Sequence, residues 1–517
     1  MDEMVRIERR TGERPERTRW GGLRLSMPPE RLAYVVPALA VEEDARFVAE
    51  FASERDGRFY LHAVVEIGGT YLILEAPLAG GRFSSLALEL PAADWPEREM
   101  KDLFGLTPSG HPHPERLVLP EGWPEGEHPM RKGFAREKEV ELAPPERERP
   151  IMRDPVEGDG VFHIPYGPIR SGIFESAQFV VDTPGEKILR LHLNMFYKHR
   201  GMEKIFEGVP LEQAPLVAER VSGTDSFAQS LAFCEAAERA LGVEVPPRAR
   251  HWRVILSELE RLYNHIDHVA KQCEAASLNV ANARFAILKE RILRLNAALT
   301  GSRYLRGVNR VGGLRFEPGA LEGALLEELA GIERDFTRDE RLLRRTDSFL
   351  DRIVSAGPLS REDAAAHAAV GPVARGSGID LDCRRDHPYA AYPELDFEVQ
   401  TASAGDADAR FDVRLREAHE SFSLIRQANG RMPEGPVHAA SSAPEPGAEA
   451  LGWAEGARGE ELYYLRFGEG GALDRVKVRT ASFANWPLFA KTTDGQVLTD
   501  FAFMEHSFAM SQAACDG

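Results

Sequence analysis

The spacing of apolar residues divides this chain into a mixed N-terminal part and a C-terminal part dominated by helical patterns. Phe227, Leu231 and Cys234 recur at helical spacing in a segment that ends at Gly242. The same periodicity predicts further helices, over residues 248–277, 281–299, 320–354 and 409–429. Residues 162–181 predict a strand, a turn and a strand, and residues 455–466 and 475–486 predict two antiparallel strands and a following turn.

The N-terminal part mixes a helix-like segment with β-type runs. Residues 42–55 predict a helix, and residues 59–67 and 70–78 predict strands joined at the hairpin signal Gly68-Gly69. Residues 136–160 are charged, rich in proline and without hydrophobic period, which predicts a linker. We therefore expect an α+β protein. A small α/β-sandwich-like domain (1–135) precedes the linker (136–160), and a mainly helical bundle with peripheral β elements follows (161–517).

The amino-acid composition limits the kinds of function that the protein can have. With 43% apolar and 28% charged residues among 517, the chain is typical of a soluble globular protein. Its net charge of −18 argues against broad nucleic-acid binding, which needs a basic surface. The longest apolar run, 32–41, contains Pro37 and is far shorter than the ~20 residues that span a bilayer. No secretory signal is visible, and the four cysteines show no metal or redox spacing, which favours a reducing, cytoplasmic setting.

A motif cluster lies at the end of the N-terminal part. Glu97-Arg98-Glu99, Asp102-Leu103-Phe104-Gly105 and His111-Pro112 stand in register over about 35 residues, followed by L-V-L-P-E-G-W. An isolated E-R-E would indicate only a charged helix start. The full set resembles the signature of the 30-kDa subunit of respiratory complex I, although Glu115 departs from the usual basic residue or proline. The resemblance implies a docking domain that braces neighbouring subunits and carries no cofactor.

A second frame runs from His199 to Phe227. Arg200-Gly201-Met202-Glu203 is followed by fifteen residues and then Glu219-Arg220-Val221. This frame resembles the first metal-binding signature of nickel–iron hydrogenase large subunits, with Ser222 and Asp225 where the cysteines belong. In the C-terminal segment, the resemblance places Ser511 and Ala514 at the other two cysteine positions. The expected histidine is absent as well, and the chain ends three residues further on without the usual cleaved extension.

These substitutions predict that the chain binds no metal. A serine hydroxyl stays protonated near neutral pH and is a poor ligand for nickel, which such sites hold by thiolates. Ser222-x-x-Asp225 has two interpretations, a helix cap that resembles a capping box and a polar pocket. Arg170 stands where relatives often carry a histidine, and it is either a surface charge or a cavity-lining group. His265 and His268 share a helix face, but no third ligand lies nearby in the sequence, which favours structural histidines.

A dense block of arginines, aspartates and glycines covers residues 371–397. It is similar to the matching block of membrane-bound hydrogenase large subunits and of the 49-kDa subunit of complex I. So many charges predict a buried or semi-buried ion-pair network, because unpaired charges there would be costly. We expect this network to fix loop geometry rather than to transfer protons. The residues assigned to structural networks are His199, Arg200, Arg220, Arg375, Asp382 and Arg384.

Together the resemblances identify a fused 30-kDa/49-kDa-type subunit of hydrogenase-4 or formate hydrogenlyase type. They imply a subunit of a membrane-associated complex, lining a cavity next to an iron–sulfur cluster in a small partner subunit. It would pass electrons to a quinone or similar acceptor, coupled to ion translocation. The catalytic candidates are Asp225, Arg170 and Glu203, and the cavity positions are Ser222, Asp225, Ser511 and Ala514.

The resemblance also implies membrane antiporter-like and anchor subunits as partners, with this chain peripheral on the cytoplasmic side. We expect no cofactor on the chain itself. Since no Gly-rich dinucleotide fingerprint occurs, NAD(H) would bind only to other subunits. Two alternatives remain, a catalytically silent coupling subunit and an active nickel–iron hydrogenase with displaced ligands.

Overall fold

The N-terminal part folds as a five-stranded sheet with helices packed against it. The computed structural model describes residues 3–144, 152–170 and 175–517. The sheet has the order β1-β2-β5-β4-β3, in which only the β2–β5 pair is parallel. Its elements are α1 (Glu3–Thr11), β1 (Glu16–Arg17), β2 (Leu23–Ser26), α2 (Pro29–Glu42), β3 (Arg46–Arg55), β4 (Arg58–Ile67) and β5 (Thr70–Leu78). A parallel pair, β6 (Arg82–Ser84) and β7 (Thr107–Ser109), flanks α3 (Asp94–Phe104).

The predicted helix over 42–55 is wrong, because this segment forms β3. Most of β3 is buried on both faces, so its apolar residues form a run without clear alternation. The missed signal is Asp56-Gly57, where both residues have positive φ in a tight turn to β4. The hairpin predicted at Gly68-Gly69 is confirmed, with positive φ at both glycines between β4 and β5.

The C-terminal part is a helical bundle with small sheets at its periphery. Its helices are α4 (Met202–Phe206), α5 (Ala214–Ala218), α6 (Ser226–Leu241), α7 (Pro247–Ala275), α8 (Asn279–Thr300), α9 (Gly323–Leu343), α10 (Asp347–Ile353), α11 (Arg361–Ala366), α12 (Gly371–Gly376), α13 (Cys383–Asp386), α14 (Ala407–Gly430), α15 (Ala481–Thr493), α16 (Phe501–Phe508) and α17 (Gln512–Asp516). The strands are β8 (Phe162–Tyr166), β9 (Gln178–Thr183), β10 (Arg190–Asn194), β11 (Asn309–Arg310), β12 (Gly313–Leu314), β13 (Glu449–Gly456), β14 (Gly459–Phe467) and β15 (Leu473–Arg479). The α+β prediction is therefore confirmed.

The long helices predicted from periodicity are confirmed as α6, α7, α8 and α14, and α6 ends at Gly242 in a left-handed conformation. The single helix predicted over 320–354 is instead two helices, α9 and α10, separated by residues 344–346. Strands β8 and β9 confirm the strand, turn and strand, although part of the connection (171–174) lies outside the described residues. After β15 the predicted turn is replaced by α15, which Thr480 caps through its side chain.

The two parts meet along the sheet of β13, β14 and β15. Glu460 accepts hydrogen bonds from Arg46 and Tyr71 of the N-terminal sheet, at 2.9 and 3.0 Å. Behind this sheet β13 lies directly on α6, because a Cβ at Gly452 would come within 2.2 Å of the Ala236 nitrogen. The N-terminal sheet is thus anchored to strands that themselves rest on the bundle.

The proposed division into two domains stays a prediction, and residues 145–151 of the predicted linker lie outside the described residues. Within the described ranges, no helix is both long enough and apolar enough to cross a membrane.

Candidate functional site

Arg200 joins the two chain segments that carry the former ligand positions. Its guanidinium donates hydrogen bonds to the carbonyl oxygens of Arg220 (2.7 Å), Val221 (2.9 Å) and Ala513 (2.7 Å). Val221 directly precedes Ser222, and Ala513 lies between Ser511 and Ala514. The fold therefore brings the predicted positions together, and we call Ser222, Asp225, Ser511 and Ala514 the former metal site.

Asp225 is the charged centre of this site. It is fully buried, accepts a hydrogen bond from the Ser222 hydroxyl at 2.7 Å and forms an ion pair with Arg458. Arg458 lies in the tight turn between β13 and β14, which packs directly on α12. A Cβ at Gly371 would come within 2.1 Å of the Arg458 carbonyl oxygen, so glycine is required for this approach. The turn holds the Arg458 guanidinium against Asp225.

The interpretation of Ser222-x-x-Asp225 as a helix cap is wrong. Asp225 is the residue before α6, but its side chain accepts no hydrogen bond from the first turn of that helix. The carboxylate of Glu260, from α7, accepts instead from the backbone nitrogens of Phe227 and Ala228, both at 2.8 Å. Because Glu260 satisfies the free N–H groups, Asp225 is available for Arg458.

Two further carboxyl groups lie close to Asp225. Burial and then the charge of Asp225 raise the pKa of Glu260 to about 8. The same two causes, in the same order, raise the pKa of Glu461 to about 8. Both side chains are nearly inaccessible to solvent. The part of the site around Asp225 thus contains three carboxyl groups and one arginine, and two of these carboxyl groups can bind or release a proton close to neutral pH.

The second pair of positions is held by Glu175. One oxygen of this carboxylate accepts hydrogen bonds from the Ser511 hydroxyl (3.1 Å) and the Ala513 nitrogen (2.9 Å). Ser511 also caps the short helix α17, since its oxygen accepts from the Ala514 nitrogen at 3.1 Å. Ala514 lines a small pocket of about 40 Å³.

A nickel–iron centre does not fit these residues. The Ser222 hydroxyl is used as a donor to Asp225, and Ala514 has no atom that can act as a ligand. The guanidinium of Arg458, paired with Asp225, would repel a divalent cation at this position. Within the described ranges no group of three or more His, Cys, Asp or Glu side chains is arranged to hold a metal ion.

The other two catalytic candidates are both engaged in ion pairs. Arg170 is buried, and its guanidinium lies 2.6 Å from Glu505 of α16, so the surface-charge interpretation is wrong. Glu203 pairs with Arg475 at 2.6 Å and with Lys477 at 3.0 Å. Although burial opposes ionisation, Lys477 and Arg475 lower the pKa of Glu203 to about 2. Glu203 therefore stays ionised, and its catalytic role remains a prediction.

The residues assigned to structural networks separate into two groups. Arg375, Asp382 and Arg384 belong to a buried cluster in the bundle, which we call the core network. Arg375 lies 2.7 Å from Glu417, and Arg384 lies 2.7 Å from Asp382. The members of the core network are Arg261, Arg375, Arg384, Glu258, Asp382, Glu417 and Glu455.

His199 and Arg200 lie instead beside α17, where the Nδ1 atom of His199 is 2.7 Å from the Asp516 carbonyl oxygen. Arg220 offers its carbonyl oxygen to Arg200 and its side chain is exposed, so a role of this side chain in a structural network stays a prediction. His265 is a buried structural histidine, with Nε2 3.0 Å from Glu417.

Sequence reasoning missed four residues of the site: Arg458, Glu260, Glu461 and Glu175. Arg458 lies in the segment E-G-A-R-G-E, where a charged residue between small ones in a tight turn was the available signal. Glu260 lies among the apolar residues of the long helix α7, where a glutamate in the sequence looks like an ordinary solvent-exposed residue. No feature of the sequence marks Glu175 as a residue of the site, because it is far from Ser511 along the chain and reaches it only in the folded structure.

Comparison with known proteins supports the resemblance to fused 30-kDa and 49-kDa subunits. Residues 25–140 match the family model described as the 30 Kd subunit of respiratory-chain NADH dehydrogenase, and residues 283–449 match that of its 49 Kd subunit. The chain is 31% identical over 420 residues to formate hydrogenlyase subunit 5 of Escherichia coli K12, covering 81% of this chain and 74% of the relative.

It is 32% identical to hydrogenase-4 component G of the same bacterium, over 81% of this chain and 73% of that protein. It is also 29% identical to the C/D subunit of NADH-quinone oxidoreductase from Rhodopseudomonas palustris, over 89% and 87% of the two chains. The two family models thus match one segment in each half of the chain, and the C/D subunit has both halves in the same order in one polypeptide. The chain belongs to the family of fused 30-kDa and 49-kDa subunits found in complex I, hydrogenase-4 and formate hydrogenlyase.

Proposed function

We propose that this chain is a metal-free large subunit of a membrane-associated, complex I-like oxidoreductase. It lies beside an iron–sulfur cluster held by a small partner subunit and serves the reduction of a quinone or similar acceptor, coupled to ion translocation. The names of the relatives, which include subunits of an NADH-quinone oxidoreductase and of formate hydrogenlyase, support an oxidoreductase complex of this kind.

The observation that carries this proposal is the Asp225–Arg458 ion pair in the former metal site, flanked by Glu260 and Glu461. Reduction of a quinone to a quinol consumes two electrons and two protons. The partner's cluster would supply the electrons one at a time. Carboxyl groups with a pKa near the working pH are suited to supply the protons, and Glu260 and Glu461 have such a pKa.

The remaining parts of the proposed complex follow from the same family. Membrane antiporter-like and anchor subunits would carry the translocated ion, and this chain would be peripheral on the cytoplasmic side. NAD(H), if it is the electron donor, would bind to other subunits.

One observation favours a second candidate, a catalytically silent coupling subunit. Ser222 and Asp225 are fully buried and bonded to one another, and the space lined by Ala514 is about 40 Å³. Sites for small molecules commonly have volumes of roughly 300–1,000 Å³. In a coupling subunit the buried charges would only fix the geometry of the two loops.

The test uses the natively purified complex, with metal analysis, EPR of the partner's cluster and a quinone-analogue reduction assay on one sample. We expect nickel-free turnover that falls on the order of 100-fold in Asp225→Asn, because the substitution removes a charge that raises the pKa of Glu260 and Glu461 and positioned acid–base groups contribute factors of this size. Arg170→Ala, assayed in parallel, tests the second catalytic candidate. Asp380→Asn is the matched control, because Asp380 is exposed on the same half of the chain.

An intact, cluster-containing complex with no turnover on any quinone would favour the coupling subunit. Turnover that is equal in Asp225→Asn and the wild type would remove Asp225 from the mechanism. Stoichiometric nickel would contradict the proposal altogether.

A further inference from the structure

Glu50 is a buried acid without a partner. It lies on β3 of the N-terminal sheet, is completely inaccessible to solvent, and neither carboxyl oxygen has a hydrogen-bond partner among the described residues. An ionised carboxylate in this position would be strongly disfavoured, so the side chain carries a proton at neutral pH. Burial, and then the nearby Glu97, raises the pKa of Glu50 well above its ordinary value.

This side chain faces a small chamber between the two halves of the molecule. The chamber has a volume of about 30 Å³ and is also lined by Lys477 and Arg479 of β15 and by His367. A water molecule needs roughly 10–15 Å³ of such space together with polar partners, and the chamber offers both. A water molecule here would give Glu50 the hydrogen-bond partner that the protein does not supply.

Lys477 connects the chamber to the former metal site. Its ammonium group lies 2.5 Å from a carboxyl oxygen of Glu99 and 3.0 Å from one of Glu203. Glu99 and Glu203 line the small pocket of about 40 Å³ that Ala514 also lines. Lys477 lines the chamber, its two carboxylate partners line this pocket, and Phe483 lines both.

On the side of Glu50 away from Lys477, Glu97 lies between Glu50 and the solvent-exposed cleft. Burial raises the pKa of Glu97 to about 7, although hydrogen bonds from Ser85 and the backbone oppose this. The carboxylate lies 3.8 Å from Nε2 of His111. Asp94 and His113 are partly exposed and line a wide cleft of about 1590 Å³. Ionisable groups thus extend from this cleft to the chamber.

We infer that Glu50 is the proton-carrying group of a relay through the N-terminal half, running from the open cleft through Glu97, Glu50 and Lys477 to the former metal site. The inference rests on the proposed function, because acceptor reduction there consumes the protons. Glu50 releases one proton into the chamber and takes up one from Glu97, so each transfer is balanced without any oxidant or reductant.

The test combines infrared spectroscopy with turnover of the purified complex. We expect the difference between the wild-type and Glu50→Gln spectra to show the carbonyl band of a buried carboxylic acid that shifts in D₂O while the protein stays folded. The bands of the other buried acids, Glu260 and Glu461 among them, cancel in this difference. Glu50→Gln, which keeps the shape and neutrality of the side chain, should lack this band and reduce the acceptor about tenfold more slowly at alkaline pH, with unchanged KM. A thermal melt like that of the wild type, and the same set of partner proteins in the purified complex, establish that the variant is folded.

Glu89→Gln changes an exposed glutamate of the same half and should behave as the wild type in both measurements. The relay is overturned if the band is absent, if it does not exchange in D₂O, or if folded Glu50→Gln turns over as fast as the wild type. A wild-type complex without turnover overturns the proposed function instead, and the infrared band alone then decides whether Glu50 exchanges a proton.

Discussion

The core network and the former metal site are both buried and charged, but their charges are balanced differently. The core network has three arginines for four carboxyl groups, whereas the part of the former metal site around Asp225 has Arg458 for three carboxyl groups, those of Asp225, Glu260 and Glu461. Burial opposes ionisation in both. In the core network, Arg375 and His265 nevertheless hold the pKa of Glu417 well below its ordinary value, and Arg384 and Arg375 lower the pKa of Asp382 to about 2. In the former metal site two carboxyl groups have a pKa of about 8.

This difference indicates what each region can do. A cluster whose carboxylates are paired with arginines keeps its charges fixed across the physiological range and stabilises one geometry. A cluster with an excess of carboxyl groups must hold some of them protonated, and it can exchange those protons near neutral pH. Glu455 is the exception in the core network, because burial and the adjacent Asp382 raise its pKa.

The largest effect is expected from Arg375→Met, which removes the cation shared by Glu417 and Glu455. Removing one partner of a buried ion pair destabilises a protein by roughly 3–5 kcal/mol, because the other charge stays buried. Arg385→Met is the matched control, since Arg385 is exposed and its ion pairs contribute about 0–1 kcal/mol. Thermal melts of the purified complex compare the two, and equal melting temperatures would contradict the fixed-charge account of the core network.

A smaller effect is expected from Asp225→Ala. The substitution leaves Arg458 without its carboxylate and Ser222 without its acceptor, which should cost roughly 1–3 kcal/mol. Asp225→Asn keeps the shape and an acceptor for Ser222, so it should be less destabilising in the same denaturation experiment. If both variants have the same free energy of unfolding as the wild type, the ion pair contributes nothing to the packing of the Asp225 loop against the turn that carries Arg458.

The pH dependence of stability distinguishes the two regions further. Glu260 and Glu461 have a folded-state pKa raised from about 4.5 to about 8, so the folded state binds more protons than the unfolded state. Their contribution to stability is therefore fully present below about pH 4.5 and is lost as the pH rises through about 8. Glu461→Gln should flatten this decline between about pH 4.5 and about pH 8. A decline of the same slope in the variant would exclude Glu461 as its source.

The smallest expected effect is that of added nickel. Because the former metal site lacks thiolates and contains Arg458, nickel salts should leave the melting temperature of the wild type unchanged. Replacing Arg458 by Met removes the repelling cation and serves as the comparison. A nickel-dependent rise in the melting temperature of the wild type, reversed by chelator, would show that the site binds the metal after all.

The sequence predicts the long helices well for a physical reason. In α7 and α14 apolar side chains recur at helical spacing over many turns, so the period is easy to read even though charged residues between them are buried as well. In β3 both faces are covered, by α3 and by the sheet of the C-terminal part, and alternation disappears. The break between α9 and α10 also has no proline or glycine to announce it.

The candidate site is predictable only where one segment supplies it. Ser222 and Asp225 lie on one loop, so their proximity follows from the spacing alone. Arg458 and Glu461 lie more than two hundred positions further along the chain, and they reach Asp225 through the packing of β13 and β14 on α6. The role of Glu260 as a helix cap depends on the position of α7 beside α6, which no local pattern of the sequence encodes.

Arg200 has a consequence for how the chain is held together. A metal ion bound at the former ligand positions would tie two distant segments of the polypeptide to one another. Here the guanidinium of Arg200 makes that connection, through carbonyl oxygens on both segments. A cross-link of this kind forms from the chain's own atoms as it folds. The two segments are therefore held in register by a single side chain, and loss of that side chain would free both of them at once.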